Sequence, residues 1–294
     1  MIGDPVIILV PPEVKSNMEG YQWLLSCHAR MKDLHFRDIM YDFKAAKWFD
    51  ANLFAVFGSI LSEARTFNTV KFMDISFALR KTMLQSRFLK SPNSEDAPMR
   101  YKTSIEYTKT PASEDESFCR HIETNLLSRN ELPKMSPLLI KRIKQALVEI
   151  FINAKAHGCA QYVFSDGQYY HQKQRLSFTI ADIGTTIKEN VSTFLGKPMT
   201  GEAAIEWAVQ PNNTTRPRAA GVPGGLGLSL LRAFVAKNGG RMQIVSADGY
   251  WEQCESKVAL GVFVGEFPGA LVSFEFKLVD TVCYCLAEEL KGQQ

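Results

Sequence analysis

Short apolar runs and helix-spaced apolar positions alternate along the first 90 residues. The short runs predict buried strands, and the helix-spaced positions predict amphipathic helices. Strands are predicted at 6–10, 38–43 and 70–73, and helices at 18–32, at 52–65 and from the third strand to about residue 88. Asp50 is a candidate cap for the second helix. This order favours parallel strands with helices packed on them.

The pattern changes beyond residue 110, where helices and strands no longer alternate one for one. Helices are predicted at 114–127, 137–157, 203–209 and 226–237, and strands at 161–164, 175–181, 241–246, 257–263 and 271–278. Such a set predicts helices layered on one mixed or antiparallel sheet, an α+β sandwich.

Two polar, proline-containing stretches interrupt these patterns. Residues 91–98 predict a linker or a long turn, and residues 210–225 predict a mobile loop. We therefore predict two domains, an α/β domain over 1–92 and an α+β domain over 100–282. For the last segment, 282–294, the sequence leaves two alternatives, a short helix and a frayed tail.

Composition and charge exclude several classes of protein. The chain has 294 residues, 46% of them hydrophobic and 22% charged, which is typical of a globular protein. The net charge of +3 does not indicate nucleic-acid binding. No apolar stretch approaches the roughly 20 residues of a membrane span, and the start lacks the basic and apolar regions of a secretory signal. The six cysteines form no C-x-x-C pair, so we expect reduced thiols in a cytoplasmic protein.

An acid, an amide and an imidazole are spaced by four in the predicted helix 137–157. Glu149, Asn153 and His157 therefore line one helix face, about 6 Å apart along the axis. They are candidates for chemistry at a binding site. The alternative is a solvated stripe on a helix that ends at Gly158.

Two further segments carry candidate binding residues. Asp182 stands at the end of an apolar strand and is followed by Gly184, so its carboxylate can accept a hydrogen bond from an amino group in a pocket. The alternative is a turn residue at a strand end. Later, a glycine-rich run precedes the predicted helix 226–237 and can offer backbone N–H groups and a helix dipole to a phosphate. Glycines also serve ordinary turns, and no P-loop motif is present. The run contains Gly224, Gly225, Leu226 and Gly227.

Taken in order, these three segments resemble the nucleotide-binding domain of the GHKL ATPases, the superfamily of gyrase, chaperone, histidine-kinase and mismatch-repair proteins. The resemblance covers roughly residues 100–280 and implies a Bergerat-type sandwich that binds ATP and Mg²⁺. It implies that Asn153 is a ligand of Mg²⁺ and that Glu149 activates water or a substrate hydroxyl. Asp182 is then the acceptor for the adenine amine, and Gly184 lets the base approach the backbone.

The same resemblance assigns the phosphates to the glycine-rich run. Gly224, Gly225, Leu226 and Gly227 would wrap them as part of a flexible lid that closes on ATP. For His157, a phosphate contact, a role in fixing Glu149 and a simple helix end all stay open.

This chain departs from the GHKL pattern at two places. Thr186 stands where the family often has a second glycine, and Gly269-Ala270 stands where it usually has Gly-Thr. The hydroxyl that supports the adenine-binding aspartate is therefore missing. We expect this loss to weaken binding by about 1 kcal/mol without abolishing it.

The first 90 residues are similar to a STAS domain, the fold of anti-sigma antagonists. The resemblance lies in the strand 38–43, the following stretch 48–53 and the apolar helix to Ile60. Ala51 occupies the position of the serine that is phosphorylated in that family, so a phosphorylation switch is not expected. A docking or dimerisation module that packs against the ATP site and gates it is expected instead; the alternative is a plain α/β domain.

The leading hypothesis is an ATP- and Mg²⁺-binding regulatory protein that slowly hydrolyses ATP or transfers its phosphate to a protein, as a protein-serine kinase does. The alternatives are a non-enzymatic, ATP-gated interaction switch and an interaction protein with a vestigial site. The expected partners are ATP and an unidentified protein, with no nucleic acid and no membrane. The sequence leaves a homodimer open.

Overall fold

The computed structural model describes residues 4–90, 103–156, 158–215, 227–278 and 282–291. These residues form a mixed α/β structure. No helix in the described ranges is long and apolar enough to cross a membrane. The linker predicted at 91–98 lies outside them.

The first part of the chain forms a three-stranded parallel sheet, in the order β1-β3-β5, and a separate two-stranded pair, β2-β4. The three predicted strands and three predicted helices are confirmed. In chain order the elements are β1 (Val6–Leu9), β2 (Glu13–Val14), α1 (Met18–Met31), β3 (Asp38–Asp42), β4 (Trp48–Phe49), α2 (Phe54–Ala64), β5 (Thr69–Met73) and α3 (Phe77–Gln85).

The prediction that Asp50 caps the second helix is wrong. A short 3-10 turn precedes α2, and the Asp50 side chain makes no capping hydrogen bond. Its carboxylate instead accepts hydrogen bonds from Ser16 N (2.7 Å), Trp48 Nε1 (2.7 Å) and the Tyr170 hydroxyl (3.2 Å). Two of these donors are distant in sequence, so tertiary contacts decide the role of this residue.

The second part forms a five-stranded antiparallel sheet in the order β6-β7-β8-β10-β9. The sequence pattern did not predict β6 and α6, and it divided β10 into two strands. The elements are β6 (Ser104–Pro111), α4 (Asp115–Ile122), which continues as a π-helical turn over Glu123–Leu127, α5 (Pro137–Ala156), β7 (Tyr162–Tyr170), β8 (Arg175–Ile183), α6 (Ile187–Leu195), α7 (Gly201–Ala208), α8 (Gly227–Asn238), β9 (Arg241–Cys254), β10 (Lys257–Lys277) and α9 (Ala287–Lys291).

Strand β9 doubles back on itself. Gln243 Nε2 donates to Glu252 Oε2 over 2.7 Å, whereas a straight strand would separate these residues by about 30 Å. The bend falls at Ala247, whose φ is 50°. Residues 270–275 of β10 pair with the arm before the bend, and residues 257–262 pair with the arm after it. The first stretch of β10 therefore lies at the outside of the sheet.

The two faces of the five-stranded sheet are covered by different parts of the chain. Successive residues of a strand point to opposite faces, so Ile180 and Val272 share a core with α4, α5 and α8 on what we call the front face. Ala181 and Leu271 point to the back face, where they share a core with residues of α1 and α2. The three-stranded sheet packs on the far side of α1 and α2.

A buried polar turn fixes the first part of the chain to the back face. The Asn52 side chain is fully buried, and its Nδ2 lies within hydrogen-bond distance of Thr179 Oγ1 (3.0 Å) and Ser16 Oγ (3.0 Å). The Tyr170 hydroxyl, which donates to Asp50, also lies 3.4 Å from Asn52 Oδ1. Because a buried amide without partners is costly, this network specifies how the two parts meet.

Candidate functional site

A cleft on the front face brings together residues from six elements. Its empty space, including the open mouth, is about 930 Å³. Strands β8 and β10 form the floor, α5 one wall, α6 and α7 the opposite wall, and the start of α8 one end.

Two of the predicted residues reach this cleft from α5. Glu149 and Asn153 both line it, as their spacing of four on one helix requires. Phe151 points the other way and is fully buried in the front core. Gln145, one turn before Glu149, is exposed and is not part of the lining. Two residues of the predicted stripe, Glu149 and Asn153, therefore line the site. The third, His157, lies outside the described residues.

Asp182 reaches the same cleft from the end of β8. Its Oδ1 atom is buried and has no hydrogen-bond partner among the described residues. Burial raises the pKa of this carboxyl from 3.8 to about 7, and a hydrogen bond from the backbone of Ala270 opposes the rise. Ala270 pairs directly with Asp182 across the two strands and also lines the cleft. An alanine there supplies no hydroxyl to the carboxylate, as the sequence indicated.

Glycines bring the end of β8 against the end of α5. Thr185 N donates to Gly158 O over 2.6 Å. A Cβ atom at Gly184 would lie 1.8 Å from that same oxygen, so no other residue fits without moving the backbone. A Cβ atom at Gly158 would lie 2.6 Å from Ala154 O. Close packing against Gly158 thus explains why residue 184 is a glycine. That Gly184 lets an adenine base approach the backbone stays a prediction.

The first residue of α8 lies against the carboxylate of Glu149. A Cβ atom at Gly227 would stand 2.6 Å from Glu149 Oε2. The acid therefore sits beside the amino-terminal end of a helix, where the dipole favours negative charge. Gly224, Gly225 and Leu226, the other residues predicted to wrap a phosphate, lie outside the described residues.

Helices α6 and α7 form a wall that the sequence pattern did not assign to the site. Ile187, Val191 and Trp207 give it an apolar surface, and Asn190 adds an amide. Thr186 caps α6, since its side chain accepts from Glu189 N at 3.1 Å. The Thr-x-x-Glu spacing is a capping box, a signal that could have revealed this helix.

The wall is held to the sheet rather than hinged away from it. Gly201 begins α7 directly on Gly249 of β9, and a Cβ atom on either glycine would come within 2.5 Å of the other's backbone. Lys188 of α6 adds an ion pair with Asp248 at 3.0 Å. This side of the cleft is therefore a preformed surface.

We expected the first domain to pack against the proposed ATP site, but it packs on the opposite face of the five-stranded sheet from the cleft. Among the described residues, the lining contains none from 4–90. Those residues pack on the back face, because Thr179 and Ala181 alternate with Ile180 and Asp182 along β8. Within the described ranges, this part of the chain is not placed to gate the cleft directly.

The donor set of the cleft suits a ligand with an amino group at one end and a hard cation at the other. Within the described ranges, no cluster of three or more His, Cys, Asp or Glu side chains could hold a metal by itself. Mg²⁺, however, commonly takes one or two protein oxygens together with substrate phosphates, and Asn153 and Glu149 can supply such oxygens.

In comparisons of the sequence with known protein families and with characterised proteins, no family model and no protein matches.

Proposed function

We propose that this chain is an ATP- and Mg²⁺-binding regulatory protein of the GHKL class, with a Bergerat-type sandwich over 100–282, that slowly hydrolyses ATP or transfers its phosphate to a protein. The observation that carries the proposal is the convergence of Glu149, Asn153 and Asp182 on one cleft. Asp182 is 29 residues beyond Asn153 in the sequence and lies on a different element. Because Glu149 and Asn153 share one helix face, the informative observation is that Asp182 enters the same cavity from a strand.

Asp182 supports the adenine end of this assignment. A buried carboxylate oxygen without a partner is costly, and an exocyclic amine would supply the missing donor. The neighbouring surface from Ile180, Ile187 and Val191 is apolar, which suits the faces of a flat base. A site built around an amino-group acceptor selects adenine over a base that presents a carbonyl there, because that base would leave the acceptor unpaired.

The phosphate end is assigned to α5 and the start of α8. Asn153 would hold Mg²⁺ through its side-chain oxygen, and the cation would neutralise phosphate charge when bound. Glu149 stands at the position for general-base work, oriented by its contact with Gly227. The carboxylate at the amino-terminal end of α8 also means that an incoming phosphate competes with Glu149 for that end of the helix.

The first 92 residues are proposed to be a STAS-like domain that acts as a docking module. Their parallel sheet, with α1 and α2 on one side, supports this proposal. Ala51 is buried beside Asn52 against the five-stranded sheet. The turn that would carry a phosphorylated serine in that family is thus committed to an internal contact.

Calorimetric titration of the whole chain with ATP, with and without Mg²⁺, tests the proposal. Asn153→Ala is expected to remove the Mg²⁺-dependent part of ATP binding. Asp182→Asn is expected to weaken the binding of both ATP and adenosine. Gln145→Ala is the matched control, because it changes an amide on the same helix stripe outside the cleft. Equal affinities for all four chains, or no binding by any of them, would refute the proposal.

Phosphate release then separates an enzyme from a switch. The proposal expects slow, Mg²⁺-dependent release that Glu149→Ala abolishes while ATP binding persists. Equal background release by both chains, together with binding, would replace the enzyme by an ATP-gated interaction switch. Incubation with γ-labelled ATP and a host lysate shows whether a protein receives the phosphate.

A further inference from the structure

The outer edge of the five-stranded sheet is formed by the first stretch of β10. Residues 257–262 pair on one side with the returning arm of β9. Strand β8 pairs only with residues 269–277 of β10. In the part of the chain that the structure describes, no strand pairs with the other side of residues 257–262. This edge is therefore open to another strand.

An apolar stripe runs along the same stretch. Val258, Leu260, Val262 and Val264 alternate along the strand and are 40%, 51%, 55% and 87% exposed. Trp251, which pairs with Leu260 and points to the same face, is fully buried under the helix layer. The helices thus stop one strand short of the edge and leave β-branched and leucine side chains in solvent. Such a stripe on an edge strand is an association surface.

The backbone of this edge is partly free, unlike the edge of the smaller sheet. Val264 exchanges two hydrogen bonds with the Gln22 amide of α1, at 2.8 and 3.0 Å. Backbone groups alternate between the two edges of a strand, so Val262, Leu260 and Val258 present theirs on the side of Val264. On the edge strand β1, by contrast, side chains of α1 cover the carbonyls of exposed residues. Arg30 donates to Ile7 O and Trp23 donates to Leu9 O.

We propose that this edge pairs with the same edge of a second copy of the chain, antiparallel and around a two-fold axis at Leu260. In that register Val258 lies opposite the partner copy's Val262, and the two Leu260 residues face each other. The stripe is self-complementary, as a closed two-fold interface requires. Antiparallel pairing also brings the exposed Lys257 to the end of the interface that carries the other copy's Glu266, which is 64% exposed and lies 3.6 Å from Lys188 of its own chain.

Between Lys257 and Val264 the edge carries none of the charges or prolines that natural sheets use to block such pairing. This inference is independent of ATP binding, because residues 257–262 of β10 do not line the cleft. The proposed interface continues the sheet from one copy into the next, so its strength comes from backbone hydrogen bonds and the shared apolar stripe.

Sedimentation equilibrium of the full chain tests the pairing. The wild type is expected to be a dimer at about 100 µM, a concentration that populates even micromolar complexes. Leu260→Lys is expected to weaken the dimer at least tenfold, since it places like charges opposite each other. Leu9→Lys is the matched control, because it changes an exposed leucine on the covered edge, and it is expected to leave the dimer intact. A monomeric wild type, or a dimer that Leu260→Lys does not weaken, would overturn the proposal.

Cross-linking gives a second measurement that does not depend on the folding of the lysine variant. Opposed residues in a hydrogen-bonded antiparallel pair have Cα atoms about 5.5 Å apart, which a disulfide can span. Leu260→Cys is therefore expected to form a covalent dimer on mild oxidation, whereas Leu9→Cys is not. Both are made in a chain whose exposed cysteines, Cys159, Cys254, Cys283 and Cys285, are replaced by serine. Equal cross-linking of the two variants, or none at position 260, would contradict the register.

Discussion

Replacing Asp182 by asparagine should make the protein more stable and unable to bind adenosine tightly. The pKa of this carboxyl is raised from 3.8 to about 7 by burial. At about 1.4 kcal/mol per pH unit, ionising it costs roughly 4 kcal/mol more in the folded protein than in the unfolded chain. An amide avoids that cost but leaves a donor where Oδ1 has no partner, a penalty of about 1–3 kcal/mol. We therefore expect a net gain of about 2 kcal/mol at pH 8.

The sign of the effect follows from proton linkage. Below pH 3.8 the carboxyl is neutral in both the folded and the unfolded state. Its ionisation then makes little difference to the free energy of unfolding of the wild type relative to Asp182→Asn. Between pH 3.8 and about 7 the unfolded chain is ionised while the folded one keeps its proton, so wild-type stability falls as pH rises. Above pH 7 both states are ionised and the loss stays constant. The advantage of Asp182→Asn should therefore grow from pH 4 to pH 7 and then level off.

Urea unfolding of both chains between pH 4 and 8 measures this difference, and other titrating groups cancel in the comparison. Calorimetry with adenosine, which carries no titrating phosphate, measures binding. Gain of stability with loss of binding is the signature of a side chain kept for function. If Asp182→Asn is less stable at every pH, or binds adenosine as the wild type does, then Asp182 has a structural role and the reasoning fails.

Three further changes probe the cleft and the back face. Ala270→Thr places a hydroxyl opposite Asp182 and should tighten adenosine binding about fivefold by calorimetry, the effect of one hydrogen bond; weaker binding would contradict this. Gly227→Ala puts a carbon 2.6 Å from Glu149 Oε2 and should lower ATP turnover about tenfold or more with unchanged adenosine affinity, whereas unchanged phosphate release would show that the contact is not used. Asp166 is fully buried, and burial raises its pKa well above 3.8, so wild-type stability falls as pH rises above that value. Asp166→Asn should therefore melt at a higher temperature than the wild type, by a margin larger at pH 8 than at pH 5; a margin independent of pH would speak against a neutral buried acid.

The elements that the sequence predicted are those whose apolar pattern is regular. Strand β1 is one apolar run, and α5 keeps helical spacing over 20 residues. Strand β6 was missed because a bulge between Ile105 and Thr108 breaks its alternation. Ile105 enters the front core while Tyr107, two residues on, packs against the back core. Strand β10 was divided between residues 263 and 271, where the structure has register shifts but no break in the strand.

The predicted site residues that the structure describes came from local patterns, and the resemblance to the GHKL motif order joined them into one site. Glu149 and Asn153 follow from helical geometry, and Asp182 follows from the end of an apolar strand. The wall from α6 and α7 depends on tertiary packing, such as the contact of Gly201 with Gly249, which no local pattern expresses. The position of the first 90 residues depends on bonds such as that of Asn52 with Thr179, 127 residues away.

Alternate residues of β8 face the two halves of the protein, on opposite sides of the sheet. Thr179 faces the buried amide of Asn52, and Asp182, three residues later, faces the cleft. Among the described residues, those of 4–90 do not reach the lining. Among the described residues, β8 and β10 line the cleft and also contribute to both cores, so a partner that acts on the first part of the chain can influence the cleft by shifting them. Coupling between a docking event and the proposed nucleotide site would then appear as a movement of this floor, since coupling requires an element whose position both sites bias.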